Sequence, residues 1–444
     1  MTVAAAPGAA SLSMAEAAAG LTSPAGRDAM ALHLLDTLNC ALGAERAGGE
    51  AIEGIIRLTT EEATAGPGAT VWATGERASV RAAALRNAVS ARYLDINDTY
   101  VSRALVHPSD LVAVLVAEAE AGGRTWEDLL DAVTVGYEVL CRLADHADPA
   151  GHGFEASSLV PIAAALATAR LLGLPAGQAA HAVSIACLDA ATLRVARPGA
   201  LSHWKAISAA NAAIKGWSAA RAAAAGLRGP RDALVDGDGF FARVTGRLDL
   251  TAGGTPRLPR VQLKQYPVQI FIQRPVAIAA ALSERVGDPA GVREVVITTF
   301  GAAARMVGAP AGPGMSVESA DHNLAFAVAA ALVNGGLAPG DVHALLDRPD
   351  VRRLASVARV EESAEFTGRY PEDLAARIQV VLADGRRLVG GTDDGAGAAD
   401  PRVLAAKFRA LTGQDTWAWP WRLAGTPPPA ELPDLVDSRR TDRQ

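Results

Sequence analysis

Apolar residues recur every three or four positions from Ser13 to about Leu250, a spacing that predicts amphipathic helices. The segments GRDAMALHLLDTLNCALGA (26–44) and RTWEDLLDAVTVGYEVLCRLAD (124–145) show this spacing over their whole length. Further helices with a face of small residues are predicted at 159–174, 176–193 and 203–227. Because small residues let helices approach closely, we expect these segments to pack against one another.

The pattern changes near Pro256, where TAGGTPRLPR interrupts the helical spacing. β-Branched residues then predict strands in VREVVITTF (292–300), SVARVEE (356–362) and RIQVVLADGRRLVGG (377–391), the last being two strands joined by a turn at Asp384-Gly385. Helices are expected in DHNLAFAVAAALVNGG (321–336), between these strands, and in LAAKFRALTG (404–413), after them. The fold class predicted is therefore mainly α with a smaller mixed α/β part.

Length and composition narrow the possible functions. A chain of 444 residues exceeds the roughly 250 to 300 residues at which one core usually stops growing, so two domains are expected. A net charge of -6 without a basic block argues against nucleic acid and membrane partners. With no basic leader and no run of about 18 apolar residues, a cytoplasmic protein is expected.

The cysteines exclude several kinds of site. Cys40, Cys141 and Cys187 are far apart, which argues against a disulfide framework, a zinc site or an iron-sulfur cluster.

The string NAVSARYLDINDTY (87–100), followed by HPSD (107–110), resembles the most diagnostic segment of the 2-methylcitrate dehydratase family, also called MmgE/PrpD. The matching positions are Asn87, Asp95, Asp98, Thr99 and His107-Pro108-Ser109. The resemblance continues in order through GYEVLCRL, LLGLPAGQAAHAVSIACLD, TLRVAR, WKAISAANAA, LKQYPV and DHNLAFAVAAAL, from about Ser13 to about Gly413. An ordered series of matches indicates a family far more specifically than a single motif does.

The resemblance implies a cofactor-free homodimer acting on a small polycarboxylate. It also implies a large all-helical domain made from both ends of the chain, 1–258 and 402–444, with an α+β lid domain, 259–401, inserted between them. By the same resemblance Lys205 and Lys264, two of only four lysines, line the substrate pocket. A compact ammonium whose pKa falls on burial suits proton exchange better than an arginine does, although a surface lysine along an amphipathic helix is the alternative.

Dehydration needs an acid, a base and cations that neutralise the substrate carboxylates. Asp95 has apolar neighbours in RYLDIND, so burial is expected to raise its pKa into a catalytic range. His107, whose unperturbed pKa lies near neutrality, is the expected titrating partner. Thr99 is expected to contact substrate. Capping or turn formation by Asp95 and Asp98, and a simple loop role for His107, remain open alternatives.

Arg194 and Arg197 match a basic loop of the dehydratase branch and are candidates for bidentate carboxylate contacts, with a solvated loop as the alternative. Tyr266 and His152 complete the predicted substrate-binding set, and no metal ligand is predicted. Three positions depart from the family pattern. Phe154 lies near the place of a family histidine, for which His152 or Glu155 are the hypothetical substitutes, and Gln269 and Phe326 replace a histidine and a tyrosine.

Three functions remain open from the sequence. The first is a metal-free hydro-lyase in which Asp95, His107 and Lys264 handle protons while Lys205, Arg194 and Arg197 hold carboxylates. The second is decarboxylation or isomerisation of an aconitate-like acid, since each passes through a carbanion next to a carboxylate. The third is a catalytically inactive helical binding protein, which the three departures from the family pattern would explain.

Overall fold

The structure is a computed structural model that describes residues 8–22, 24–60, 68–196, 202–231, 233–246, 255–312, 314–391, 401–413 and 419–425. Its N-terminal part is helical. The helices are α1 (Ala9–Ala19), α2 (Pro24–Ala47), α3 (Glu50–Thr60), α4 (Val80–Tyr93), α5 (Val112–Ala121), α6 (Trp126–His146), α7 (Val160–Leu172), α8 (Ala176–Leu188) and α9 (Trp204–Ala224). Two short hairpins, β1 (Ala69–Thr70) with β2 (Arg77–Ala78) and β3 (Tyr100–Val101) with β4 (Leu105–Val106), lie among them.

Small residues allow the close helix packing that the sequence predicts. Gly216 of α9 lies against α7, where an added Cβ would collide with the carbonyl of Pro161 and the methyl group of Ala164. A capping box begins α6, in which the Thr125 side chain accepts from the backbone N–H of Asp128 and the Asp128 side chain accepts in return from Thr125. The helices predicted over 26–44, 124–145, 159–174, 176–193 and 203–227 are present as α2, α6, α7, α8 and α9, although α8 ends at Leu188 and does not reach Leu193.

The remaining elements form a mixed α/β unit and one last helix. The helices are α10 (Gln273–Val286), α11 (Gly301–Val307), α12 (Val317–Ala320), α13 (Leu324–Asn334), α14 (Asp341–Leu345), α15 (Pro349–Ser356), α16 (Ala364–Arg369) and α17 (Pro401–Thr412). The strands are β5 (Val292–Thr299), β6 (Ala358–Glu362), β7 (Ala376–Leu382) and β8 (Arg387–Gly390). Within the described residues they form a sheet of order β6-β5-β7-β8, with β6 parallel to β5 and the other neighbours antiparallel. Every predicted strand is present, and Gly385 lies in the β7–β8 turn with a positive φ of 87°.

Buried apolar side chains form two main clusters. The first runs from Met14 to Val261 and also takes in Leu404, Phe408 and Leu411 of α17, so both ends of the described chain contribute to it. The second runs from Val268 to Leu388 and includes only Val101 from outside that range. The predicted fold class, mainly α with a smaller α+β part, is confirmed, while the domain bounds at 258/259 and 401/402 stay a prediction. No helix in the described ranges is both long and apolar enough to cross a membrane.

Candidate active site

The candidate site is built around Asp95, which directly follows the C-cap residue of α4. Its backbone is left-handed, with φ of 50°, and its N–H donates to the carbonyl of Arg92 at 3.2 Å. Aspartate tolerates this conformation better than most residues, yet strain of order 1–3 kcal/mol is typical of such positions. Strained residues persist where their surroundings fix them, and the side chain of Asp95 is fixed by several cations.

Three buried cations surround the Asp95 carboxylate. Nη1 of Arg92 and Nζ of Lys264 each lie 2.6 Å from Oδ1, and Lys264 also donates to the Asp95 carbonyl at 2.7 Å. Nζ of Lys205 lies 3.6 Å from Oδ2. The exposed fractions of these cationic side chains are only 3% for Arg92, 0% for Lys264 and 4% for Lys205. The lysines singled out from the sequence therefore meet at one carboxylate, although 59 residues separate them along the chain.

The environment of Asp95 corrects the expectation for its ionisation. Burial by itself raises the pKa, as predicted, but Arg92, Lys264 and Lys205 oppose it and hold the pKa of Asp95 well below its ordinary value. The prediction of a raised pKa was wrong because it considered only the apolar neighbours in sequence. The carboxylate is ionised at neutral pH, and its charge compensates the buried cations.

The pKa of Lys264 is lowered to about 8. Burial is the largest cause, the attraction of Asp95 opposes it, and the positive charges of Arg92 and Lys205 lower the pKa further. The sequence-based expectation that burial lowers a lysine pKa holds at this position. At neutral pH Lys264 is therefore mostly an ammonium, but one acidic enough to give up a proton.

His107 is held in one neutral form. Its Nδ1 donates to the carbonyl of Asp98 at 2.7 Å and lies 3.1 Å from Oγ1 of Thr99, while Nε2 accepts from Nη2 of Arg92 at 3.2 Å. Burial, Arg92 and Lys264 lower the pKa of His107 well below its ordinary value. The expectation of a partner that titrates near neutrality was therefore wrong. His107 instead orients the guanidinium that contacts Asp95.

Asp98 has a structural role. Its Oδ1 accepts from the backbone N–H of Ser109 at 3.0 Å, and its Oδ2 lies 3.2 Å from Nδ1 of His33 in α2. These bonds support the structural alternative raised for Asp98 from the sequence. They also fix the short turn that carries the HPSD motif beside the loop after α4.

Two long-range contacts hold that loop. Thr99 pairs with Gln262, each donating its backbone N–H to the other's carbonyl, at 2.9 and 2.8 Å, which places the segment before Lys264 alongside. From α17, Nζ of Lys407 donates to the carbonyl of Ile96 at 2.6 Å and to Oδ1 of Asp36 at 2.5 Å. Apart from the rarity of lysine, nothing in the sequence indicated the buried pair of Lys407 and Asp36.

A second acidic group reaches the cluster from the segment before α13. Nζ of Lys205 donates to Oδ2 of Asp321 at 2.6 Å, and Nδ1 of His322 lies 2.5 Å from Oδ1 of the same carboxylate. Nε2 of His322 lies 3.4 Å from Oδ2 of Asp95. Asp321 and Arg92 were not among the predicted site residues, although Asp321 lies in the DHNLAFAVAAAL motif and Arg92 in NAVSARYLDINDTY.

Asp95, Asp321 and His322 each offer one atom that could bind a metal ion, and these three atoms lie within 4.8 Å of one another. Lys205 lies among them, with Nζ 2.6 Å from Asp321 and 3.6 Å from Asp95. An ammonium at this position supplies the positive charge that two carboxylates require. The expectation of no metal ligand stays a prediction.

Two other predicted substrate contacts lie on two neighbouring exposed segments, one after α6 and one after α8. Nη1 of Arg194 donates to the carbonyl of Ala150 at 3.1 Å, and Nδ1 of His152 lies 2.9 Å from the carbonyl of Asp148. Both side chains are exposed. His152 bonds within its own loop, and Arg194 bonds to that same loop from the segment after α8. Arg197 lies outside the described residues. Substrate contact by these three stays a prediction.

The remaining candidates occupy more buried positions. Tyr266 is half-buried, and its backbone N–H donates to Oε1 of Gln273 at 3.0 Å. Glu155 is buried and accepts from Oγ of Ser208 at 3.3 Å. Gln269 caps the short helical turn after it, and Phe326 is buried in the second core. Whether Glu155 or His152 replaces the family histidine stays a prediction.

A small, partly open cleft lies beside Asp321. Its walls come from the end of α4, including Tyr93, from the segment Val317 to Asp321, and from the start of α14. Within the cluster, the His322 side chain has an exposed fraction of 21%, compared with 1% for Asp95. The cluster is therefore most accessible from the side of the second core.

Comparison with known proteins agrees with this architecture. Residues 13–252 match the MmgE/PrpD N-terminal domain, and residues 266–414 match the MmgE/PrpD C-terminal domain. A 2-methylcitrate dehydratase of Salmonella typhi is 27% identical over 83% of this chain and 81% of its own length. One from Cupriavidus necator is 26% identical over 80% and 78%. A probable 2-methylcitrate dehydratase of Saccharomyces cerevisiae is 24% identical over 83% and 77%. The two domain matches span most of the chain, which therefore belongs to the MmgE/PrpD family.

Proposed function

We propose that this protein is a metal-independent hydro-lyase that dehydrates a small, citrate-like polycarboxylate, with 2-methylcitrate as the first candidate. The names of the relatives support the substrate class. The observation that carries the proposal is the buried group of three cations, Arg92, Lys205 and Lys264, gathered around the carboxylates of Asp95 and Asp321. Several charged hydrogen-bond donors in one buried site favour an anionic ligand.

The three cations can stabilise the negative charge that develops on the substrate during the reaction. Removing a C–H proton next to a carboxylate builds negative charge on a molecule that is already a polyanion. Fixed positive charges in a buried site stabilise that charge more strongly than water does, because they need no reorganisation. Asp95 holds Arg92 and Lys264 in place through its bonds to both.

Lys264 is the proposed proton donor to the leaving hydroxyl group. In the reaction a C–H bond and a C–O bond break, a C=C bond forms, and the hydroxide leaves as water after taking the proton. An ammonium with a pKa of about 8 is mostly charged at neutral pH and is a better acid than an ordinary lysine. The base must offer a free lone pair beside these cations.

Decarboxylation is the weaker candidate. The positions where decarboxylase relatives place a histidine and a tyrosine carry Gln269 and Phe326, neither of which transfers protons. Gln269 caps a helical turn and Phe326 packs in the second core, so both have structural roles.

The test is to incubate EDTA-treated protein separately with 2-methylcitrate, citrate and cis-aconitate while following ultraviolet absorbance and carbon dioxide. We expect the absorbance of an unsaturated acid to rise with 2-methylcitrate, with no gas released. Carbon dioxide from cis-aconitate would indicate a decarboxylase, and activity that EDTA abolishes and a divalent cation restores would contradict metal independence. Tight binding without turnover would indicate a binding protein.

We also propose a homodimer, which the family resemblance implies. Four large apolar side chains near the end of α8 and the start of α9 support it, with exposed fractions of 61% for Leu188, 63% for Leu193, 74% for Val195 and 48% for Trp204. Large apolar side chains that are exposed on one chain are often covered in a protein contact surface.

A further inference from the structure

The tautomer of His322 follows from its contact with Asp321. Nδ1 lies 2.5 Å from the Asp321 carboxylate, which only accepts hydrogen bonds when ionised, so Nδ1 carries the proton. Nζ of Lys205 lies 3.3 Å from the same nitrogen, but its shorter bond, at 2.6 Å, goes to Asp321. Nε2 of His322 consequently carries a free lone pair.

That lone pair faces a second acceptor. Nε2 lies 3.4 Å from Oδ2 of Asp95, and among the described residues this oxygen accepts no hydrogen bond. Burial, followed by the charge of Lys205, lowers the pKa of His322, which keeps the imidazole neutral near pH 7. Nε2 of His322 and Oδ2 of Asp95 repel each other when no proton lies between them. A ligand group that donates a proton is therefore favoured beside these two atoms.

His322 is also more exposed than Asp95, Lys205 and Lys264, so incoming substrate meets it first. Its side chain has an exposed fraction of 21%, whereas Lys264 has 0% and Lys205 has 4%. A carboxylate drawn to the cations therefore approaches past the imidazole. The hydrogen bond from Nδ1 to Asp321 fixes the ring in the orientation a general base requires.

We propose that His322 is the catalytic base, taking the C–H proton of the polycarboxylate on Nε2, and that Asp321 is its positioning residue. This inference rests on the proposed hydro-lyase function. The electron pair of the broken C–H bond forms the C=C bond as the C–O bond breaks, and Lys264 protonates the departing hydroxide. His322 then returns its proton to solvent, and Lys264 regains one. Asp95 is less suited to this step because its carboxylate is already engaged with two buried cations through Oδ1.

The experiment compares His322→Gln and His322→Ala with His146→Gln, which alters a histidine in the last turn of α6, using 2-methylcitrate for both turnover and calorimetric binding. We expect His322→Gln to lower kcat by roughly 10²–10⁴-fold while the Kd stays within about threefold of the wild type. Added imidazole should restore part of the activity of His322→Ala, whose side-chain position is open to solvent. His146→Gln should behave as the wild type.

Near-normal turnover by His322→Gln would overturn the assignment and leave the hydro-lyase function standing. Loss of binding together with turnover, and no rescue by imidazole, would show that His322 only supports the site. A wild type that binds but does not dehydrate 2-methylcitrate would overturn the proposed function and this inference together.

Discussion

Asp95 shows how one residue combines backbone strain with charge compensation. Its left-handed conformation places the carboxylate against Arg92 of its own turn and against Lys264, which lies 169 residues further along the chain. Removing one partner of a buried ionic group typically costs about 3–5 kcal/mol, because the remaining charge is left buried. The carboxylate of Asp95 therefore compensates the charges of Arg92 and Lys264, and these two cations keep Asp95 ionised.

Lys264 provides a prediction for the pH dependence of activity. As an acid it must be protonated, so kcat/KM for 2-methylcitrate should fall as the pH rises through about 8. In Lys264→Arg, whose guanidinium stays protonated, any activity retained should lack this alkaline decline, and Lys215→Arg on α9 should keep it. A pH–rate profile checks this, and an unchanged decline in Lys264→Arg would contradict the assignment.

The same pKa shift affects stability in a defined direction. The unfolded chain holds the Lys264 proton up to an ordinary pKa of 10.5, whereas the folded chain releases it at about 8. Between these values the unfolded state binds more protons, so this group makes folding more favourable as the pH rises. Near neutral pH, where Lys264 is charged in both states, burial of this charge lowers the free energy of unfolding.

At the scale of elements, the loop after α4 is held by parts of the chain that are distant in sequence. Helix α2 contributes Asp36 and His33, helix α17 contributes Lys407, and the segment before α10 contributes Gln262. Helix α17 also packs its Leu411 against Gly43 of α2, where an added Cβ would collide with that side chain. The C-terminal helix consequently anchors the loop that carries Asp95.

The buried pair of Lys407 and Asp36 gives a stability prediction. Lys407→Met should destabilise the fold by about 3–5 kcal/mol, because Asp36 is left as an uncompensated buried charge. Lys215→Met, which removes only a partly exposed contact with the carbonyl of Asp189, should cost less than about 1 kcal/mol. Urea unfolding followed by circular dichroism measures both.

The double variant Asp36→Leu with Lys407→Met separates charge from packing. Since it removes both buried charges together, it should recover most of the lost stability. A single Lys407→Met variant with the midpoint of the wild type would contradict the role assigned to this pair.

For the whole molecule, the site joins the two hydrophobic cores. Asp95 and Lys205 belong to elements that pack in the first core, while Asp321 and His322 immediately precede α13 in the second. Lys205 bonds across this boundary to Asp321, so the geometry of the site depends on how the two parts meet. The site is therefore complete only where the two parts are in contact.

The proposed dimer is tested at this scale. We expect the wild type to have the mass of two chains in light scattering coupled to size-exclusion chromatography. Leu188→Asp combined with Val195→Asp should shift it toward one chain, because two charges would be buried in an apolar contact. Val389→Asp, at a position with an exposed fraction of 48% in β8, is the matched control and should leave the mass unchanged. A monomeric wild type would contradict the proposal.

The sequence by itself determined the main helices, the positions of strands β5 to β8 along the chain and the motif residues, because hydrophobic spacing and turn chemistry act locally. It pointed to Asp95, Lys205 and Lys264, which the structure brings together. Only the tertiary structure decided the ionisation of Asp95 and His107, because pKa values depend on charges nearby in space. For the same reason it alone revealed Asp321 as a partner of Lys205, 116 residues away, and the lone pair of His322 facing Asp95.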